Sequence, residues 1–194
     1  MSTETTGPQM TTHATRTHTE GARAMGAQVM RTHTIVDSPL GELTVVAEEG
    51  ALAGLYFEGH QRRPAADTFG TRTDEGFEPV RQQLKEYFSG ERREFDLPLA
   101  PQGEDFSRRV WELLTSIPYG ETLSYGDLAR RLGDPALAQA VGAANALNPL
   151  SVLLPCHRVV AADGSLRGYA GGLERKRFLL ALEEPTAEMA ARLF

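Results

Sequence analysis

The sequence predicts an α/β N-terminal domain, an antiparallel sheet plus one helix, followed by a mainly α C-terminal domain with a helix-turn-helix core. Three observations carry this. Residues 32–57 hold three short Val-, Thr- and Leu-rich runs separated by turn residues. From Phe77 onward, apolar residues recur at helical spacing. Ser124 and Asp134-Pro135 mark two helix starts, with Gly133 closing the first helix just before the second begins.

The elements come in this order. Residues 1–30 are rich in Thr, Gly, Ala and His without apolar periodicity, and read as a disordered tail. Strands are expected over Thr32–Val36, Glu42–Ala47 and Leu52–Phe57, joined at Asp37-Ser38-Pro39-Leu40-Gly41 and Glu49-Gly50. Arg62–Gly76 is polar and reads as a loop. Phe77, Val80, Leu84, Tyr87 and Phe88 line one face of a helix that ends at Ser89-Gly90. Glu94–Leu97 reads as a returning strand. Pro98–Gly103 is a natural linker, dividing a domain over 31–100 from one over 101–194.

In the second domain, Phe106, Val110, Leu113 and Leu114 make an amphipathic helix that stops near Ile117-Pro118-Tyr119-Gly120. Ser124 caps a helix over Tyr125–Leu132, and Asp127 complements its positive end. Asp134 and Pro135 start the next helix, which runs to about Ala146. Asp163-Gly164 is a turn, Gly168-Tyr169-Ala170-Gly171-Gly172 a glycine-rich loop, and Leu173–Glu183 a last helix with Arg175, Lys176 and Arg177 on it.

Composition narrows the function classes. The chain has 194 residues, 41% of them hydrophobic, which suffices for a packed core. No apolar run approaches the roughly 18 residues of a membrane span, and no signal sequence opens the chain. The single cysteine excludes an internal disulfide and a multi-cysteine zinc site, so a reducing cytoplasm fits. His13, His18, His33 and His60 lack metal-site spacing, and no metal or cofactor is expected. The net charge of −6 opposes whole-chain attraction to nucleic acid. The acidity is local, however. Residues 31–100 hold eight basic and thirteen acidic residues, whereas 101–183 hold nine of each.

The chemistry concentrates in Leu153-Leu154-Pro155-Cys156-His157-Arg158-Val159. A lone cysteine among aliphatic residues is commonly a small buried hydrophobe. Beside a base it can be a nucleophile, because a free thiol of pKa about 8.5 needs help to ionise at neutral pH. Adjacent residues on an extended strand point to opposite sides, so Cys156 and His157 cooperate only through a bend, a turn or a bridging water. Pro155 favours the bend.

Nearby, the second helix of the helix-turn-helix is small-sided. It offers only Gln139 and Asn145 as polar readers, where a major-groove helix normally carries several. Small residues permit close approach to another helix or to the walls of a narrow groove, and the pattern alone leaves both open. The glycine-rich loop lacks the lysine and hydroxyl of a phosphate loop. It reads as a tight connection or as a cradle for a flat ligand.

Taken together, Ala140-Val141-Gly142-Ala143-Ala144-Asn145, Asn148-Pro149, Pro155-Cys156-His157-Arg158-Val159 and Gly168-Tyr169-Ala170-Gly171-Gly172-Leu173 resemble the O6-alkylguanine-DNA alkyltransferases, the methylated-DNA–protein-cysteine methyltransferase family. The likeness is dense over Phe106–Glu183 and looser over Thr32–Leu97. It implies a ribonuclease-H-like N-terminal sheet domain and a C-terminal DNA-binding and alkyl-acceptor domain with a winged helix-turn-helix-like core.

The resemblance also implies roles. Cys156 accepts the methyl or alkyl group of O6-alkylguanine (and O4-alkylthymine) in double-stranded DNA. His157 draws the thiol proton through a water, and Glu183 orients and stabilises that histidine. Tyr125 resembles the tyrosine that donates a proton to guanine N3. Ala138, Gln139, Ala140 and Gly142 belong to the helix that enters the minor groove while the damaged nucleotide is flipped out. Asn148 ties that helix to the active-site segment, and Ala170 and Gly171 line the base pocket. The product is a thioether without a leaving path, so each chain acts once and without a cofactor; a monomer is the default expectation.

Two positions depart from the family pattern. Gln139 stands where many members carry arginine, and Leu147 where glycine is common. The main rival reading is a non-catalytic alkylated-base-binding protein, whose members lack the acceptor cysteine. A helix-turn-helix regulator and a thiol hydrolase are further rivals, and the hydrolase would turn over repeatedly without DNA.

Overall fold

The computed structural model describes residues 30–184 and Met1, so the tail expected over 1–30 lies almost wholly outside the described residues. Strands β1 (Arg31–Val36), β2 (Leu43–Glu48) and β3 (Ala51–Phe57) form the expected antiparallel meander. β3 is buried at every position after its first, so its sequence is a continuous apolar run without alternation. One face carries Leu43, Val45, Leu55 and Phe57 into the main core. The other carries Val46 and Tyr56 onto Phe69.

The segment expected to be a loop over 62–76 is more ordered than its polarity suggests. It holds a 3-10 turn (Ala66–Phe69) and a short strand, β4 (Thr71–Arg72), which pairs parallel to β1 and completes the order β3-β2-β1-β4. One aromatic anchors it: Phe69 is buried and stacks on Tyr56 at 5.8 Å between ring centroids. Gly70 comes next at φ +76°, with its Cα so close to β1 that a Cβ would meet the Arg31 carbonyl oxygen at 1.9 Å.

Helix α1 (Glu78–Phe88) packs Val80, Leu84 and Tyr87 into the core. The strand expected over Glu94–Leu97 does not form. Gln83 of α1 claims the Asp96 backbone from both sides, Nε2 donating to Asp96 O at 2.9 Å and Oε1 accepting from Asp96 N at 2.8 Å. Pairing with β3 is deferred to a single bridge at Leu99, where Leu52 N donates to Pro98 O and Ala100 N to Leu52 O, both at 2.8 Å.

The second half is helical: α2 (Asp105–Leu114), α3 (Tyr125–Arg131), α4 (Ala138–Ala146) and α5 (Leu173–Glu183). Ser124 caps α3 in a reciprocal box with Asp127. Asp134 accepts from Ala136 N, but the first turn, Pro135–Leu137, is 3-10 and the α-helix starts only at Ala138. Trp111 of α2 donates its indole N–H to Ala144 O at 2.8 Å, fixing α4 against the core. A two-residue parallel pair, β5 (Leu123–Ser124) with β6 (Val159–Val160), joins the start of α3 to the segment after Cys156.

The halves share one hydrophobic core. Leu55 of β3 bridges to Leu150, its N–H donating to Pro149 O at 2.8 Å and its carbonyl accepting from Ser151 N at 3.2 Å. The sheet therefore sets the position of the segment that leads into Cys156.

Candidate active site

Asn148 terminates the α4 connection and directs the chain from Leu150 to Leu154. Its Nδ2 donates to Leu154 O at 2.8 Å and its Oδ1 accepts from Leu150 N at 2.9 Å. The chain between is forced through Val152 at φ +72°, a left-handed conformation that a β-branched residue resists. Pro155 then opens a 3-10 turn, Cys156–Arg158. This turn supplies the bend that an extended Cys-His pair lacks.

Cys156 is buried at 4% exposure. Burial pushes its thiol pKa up, against the opposing pull of Asn148, the Lys176 ammonium and Tyr169. A proton acceptor is therefore needed before the sulfur can act at neutral pH. His157 is fully buried, and its Nε2 lies 2.9 Å from Glu183 Oε1. Burial lowers its pKa, more than the neighbouring Glu183 raises it. The imidazole is thus neutral, and an ionised carboxylate can only accept, so Nε2 carries the proton. Nδ1 is left as the basic nitrogen, buried and without a protein partner among the described residues.

Glu183 is buried at 1% exposure, which on its own would raise its pKa. Hydrogen bonds from His157 and Arg158, with the Arg158 charge, override this and hold it at about 2. Arg158 donates Nε to Oε2 at 2.7 Å and Nη2 to Oε1 at 3.0 Å, and Tyr87 donates its hydroxyl to Oε1 at 2.7 Å. Arg158 also donates to Ile117 O at 2.6 Å. Sequence reasoning did not assign Tyr87 and Arg158 to the site. Arg158 stood in the motif itself, whereas Tyr87 looked like one more apolar position on α1.

Tyr125 opens α3, half-buried, its hydroxyl donating to Arg167 O at 3.1 Å. Burial and the nearby Cys156 charge raise its pKa, and Asn145 lowers it. Asn145 is buried, its Nδ2 donating to Cys156 O at 3.3 Å while its Oδ1 has no partner among the described residues. Cys156, His157, Glu183, Asn148 and Tyr125 therefore converge on one locality.

The other expected residues are placed differently. Gln139, Ala140 and Ala143 are exposed on α4, as are Ala136 and Leu147 just outside its two ends, while Ala138 and Gly142 are half-buried. Gly142 sits beside the Tyr125 ring, where a Cβ would make ordinary contact at 3.7 Å. Ala170 directs its carbonyl to Gln61 N at 3.0 Å. Gly171 has a packing reason to be glycine, because a Cβ there would meet the Phe57 ring at 2.7 Å.

Known proteins resemble this chain over both of its halves. Residues 31–101 match the family model described as "6-O-methylguanine DNA methyltransferase, ribonuclease-like domain", and residues 105–185 match its "DNA binding domain". A methylated-DNA–protein-cysteine methyltransferase of Mycolicibacterium paratuberculosis is 45% identical over 159 residues, covering 82% of this chain and 96% of the relative. One of Methanosarcina acetivorans is 42% identical over 152 residues, covering 78% and 97%. Among solved structures, the Mycobacterium tuberculosis O6-methylguanine methyltransferase superposes with a TM-score of 0.75 at 42% identity, covering 84% of this chain and 99% of that one. A Mycobacterium tuberculosis structure in complex with DNA gives 0.76 at 45% identity, covering 78% and 92%. By this similarity over nearly the full length of its relatives, the chain belongs to the 6-O-methylguanine DNA methyltransferase family.

Proposed function

We propose that this chain repairs alkylated DNA by moving the alkyl group of O6-alkylguanine, and of O4-alkylthymine, onto its own Cys156. The observation that carries this is the Glu183 carboxylate 2.9 Å from His157 Nε2, with Nδ1 buried and without a partner among the described residues, next in sequence to the thiol. A water between Sγ and Nδ1 satisfies both groups and carries the thiol proton to the imidazole. The Arg158-buttressed Glu183 carboxylate then stabilises the imidazolium. The thiolate attacks the alkyl carbon, an S–C bond forms as the C–O bond breaks, and the electron pair passes to guanine. Tyr125 supplies a proton to the leaving base at N3. The thioether has no leaving group, so one chain repairs one lesion, with no cofactor and no metal.

A nucleotide in a duplex cannot reach Cys156, so the damaged base is flipped, at an unstacking cost of a few kcal/mol. The exposed stripe formed by Ala136 of the preceding 3-10 turn and Gln139, Ala140 and Ala143 of α4 is narrow enough to enter the minor groove, with Ala138 and Gly142 at its edges. Asn148 couples that helix to the Cys156 segment, and Ala170 and Gly171 offer backbone to the base. The β5–β6 pair beside α3 and α4 corresponds to a winged helix-turn-helix, and the four-stranded sheet with α1 to a ribonuclease-H-like domain, divided near residue 100. The chain acts as a monomer in the cytoplasm.

The test is stoichiometric. With excess duplex carrying a labelled O6-methylguanine, transfer should stop at one label per chain. Continued release of product points to a hydrolase, and lesion binding without transfer to a non-catalytic binder. A second expectation concerns Gln139, which is uncharged where many relatives carry arginine. Gln139→Arg should tighten duplex binding and steepen the log–log salt dependence by about 0.9, the value for one added phosphate contact. Equal affinity and slope at two salt concentrations would remove Gln139 from the interface.

A further inference from the structure

Lys176 is the buried charge that this mechanism leaves unused. It lies in the first turn of α5, fully buried, and among the described residues no carboxylate pairs with it. A buried ammonium is costly unless its donors are met. Here Nζ donates to Val159 O at 2.7 Å and to Arg167 O at 3.0 Å. These carbonyls, in β6 and at Arg167, flank the loop over 161–166, so the ammonium staples that loop shut.

Both ends bear on Tyr125. Val159 and Val160 pair with Leu123 and Ser124, the residues immediately before Tyr125. The Arg167 oxygen is the acceptor of the Tyr125 hydroxyl. A carbonyl oxygen offers two lone pairs, and here Tyr125 and Lys176 take one each. To protonate a base, Tyr125 must leave that oxygen. Lys176 remains on it, so the carbonyl keeps a donor and the loop keeps its shape.

We propose that Lys176 is a positioning residue for alkyl transfer, holding the Arg167 carbonyl that parks the Tyr125 hydroxyl and fixing the strand pair from which Tyr125 projects. This rests on the reading of Tyr125 as proton donor. The ammonium is suited to the task at neutral pH, since burial brings its pKa down only to about 8 and the Cys156 charge pulls the other way.

The test is a double-mutant cycle on the single-turnover rate of methyl transfer from an O6-methylguanine duplex, with the full chain. Tyr125→Phe should slow transfer by about a hundred-fold, the low end for a lost general acid. Lys176→Met should slow it by roughly ten-fold or more, yet cost less than about three-fold further in the Tyr125→Phe background, because both changes break one arrangement. Losses that multiply, or a Lys176→Met chain at full rate, overturn the proposal. Tyr125→Phe at full rate instead overturns the role of Tyr125 itself. If circular dichroism shows that Lys176→Met does not fold, Lys176→Gln, shorter but still a donor, replaces it in the cycle. Its smaller loss, about three-fold, should vanish beside Tyr125→Phe, and persistence of that loss overturns the proposal equally.

Discussion

Cys156→Ala should bind an O6-methylguanine duplex as tightly as the parent chain and transfer nothing. The chain has one cysteine, so no second thiol can substitute. The loss is total rather than partial, because the other groups of the site act only through the sulfur. His157 Nδ1 has no proton to take, and Tyr125 has no departing base to protonate. Binding survives because the surface assigned to DNA lies on α4, whose exposed residues Gln139, Ala140 and Ala143 do not depend on the thiol. The fold should also survive, since alanine removes one sulfur from a buried position and leaves a small cavity. Gel-shift titration with the lesion duplex, alongside label transfer, reads both expectations. Weakened lesion binding in a folded Cys156→Ala chain would mean that the thiol pocket contributes more to affinity than the groove contact.

The largest effect on stability is expected at Glu183. Its carboxylate receives donors from His157, Arg158 and Tyr87, drawing α1, α5 and the Cys156 turn together. Glu183→Ala strands the Arg158 guanidinium, which is 7% exposed, away from water without its counter-charge. Breaking a buried pair in this way costs about 3–5 kcal/mol. That is a large part of the 5–15 kcal/mol typical of a whole domain, roughly speaking. Urea unfolding should show the shift, and transfer should fall with it as His157 loses its orienting partner.

Glu183→Gln keeps the shape and separates the charge from the packing. The sign of its pH dependence comes from the depressed pKa. A carboxylate held at about 2, against 4.5 ordinarily, contributes stability that is present above pH 4.5 and lost as the pH falls towards 2. The contribution is about 3 kcal/mol. The parent chain should lose that amount across this window, and Glu183→Gln should have a flatter profile there. A parallel pair of acid-unfolding curves would show that Glu183 is not ionised in the folded chain.

How far the sequence reaches depends on whether a signal is local. The Ser124 and Asp134 caps are contacts within a few residues, to Asp127 N and Ala136 N, and each caps its segment as expected. The Cys156-His157 pair is legible for the same reason. Tyr87 lies 96 residues from Glu183, and its hydroxyl is invisible in a pattern that counts it as apolar. The basic residues Arg175, Lys176 and Arg177 are consecutive in sequence, yet on the helix they point apart and part company. Arg175 lies over the Phe57 ring at 4.9 Å, Lys176 turns fully inward, and Arg177 pairs with Glu174 at the surface. The strand at Glu94–Leu97 fails because a side chain of α1, not a strand, meets its backbone. Phe69 shows the converse: a single buried ring orders a segment whose composition is otherwise that of a loop.

The acceptor assignment is the claim on which the other roles depend, and the mass of the intact protein tests it most directly. After incubation with a duplex containing O6-methylguanine, the whole population should gain the mass of one methyl group in place of one hydrogen. Fragmentation should place it on Cys156, and Cys156→Ala should gain nothing. An unchanged mass while the lesion disappears, or a methyl group on any other residue, would contradict the account.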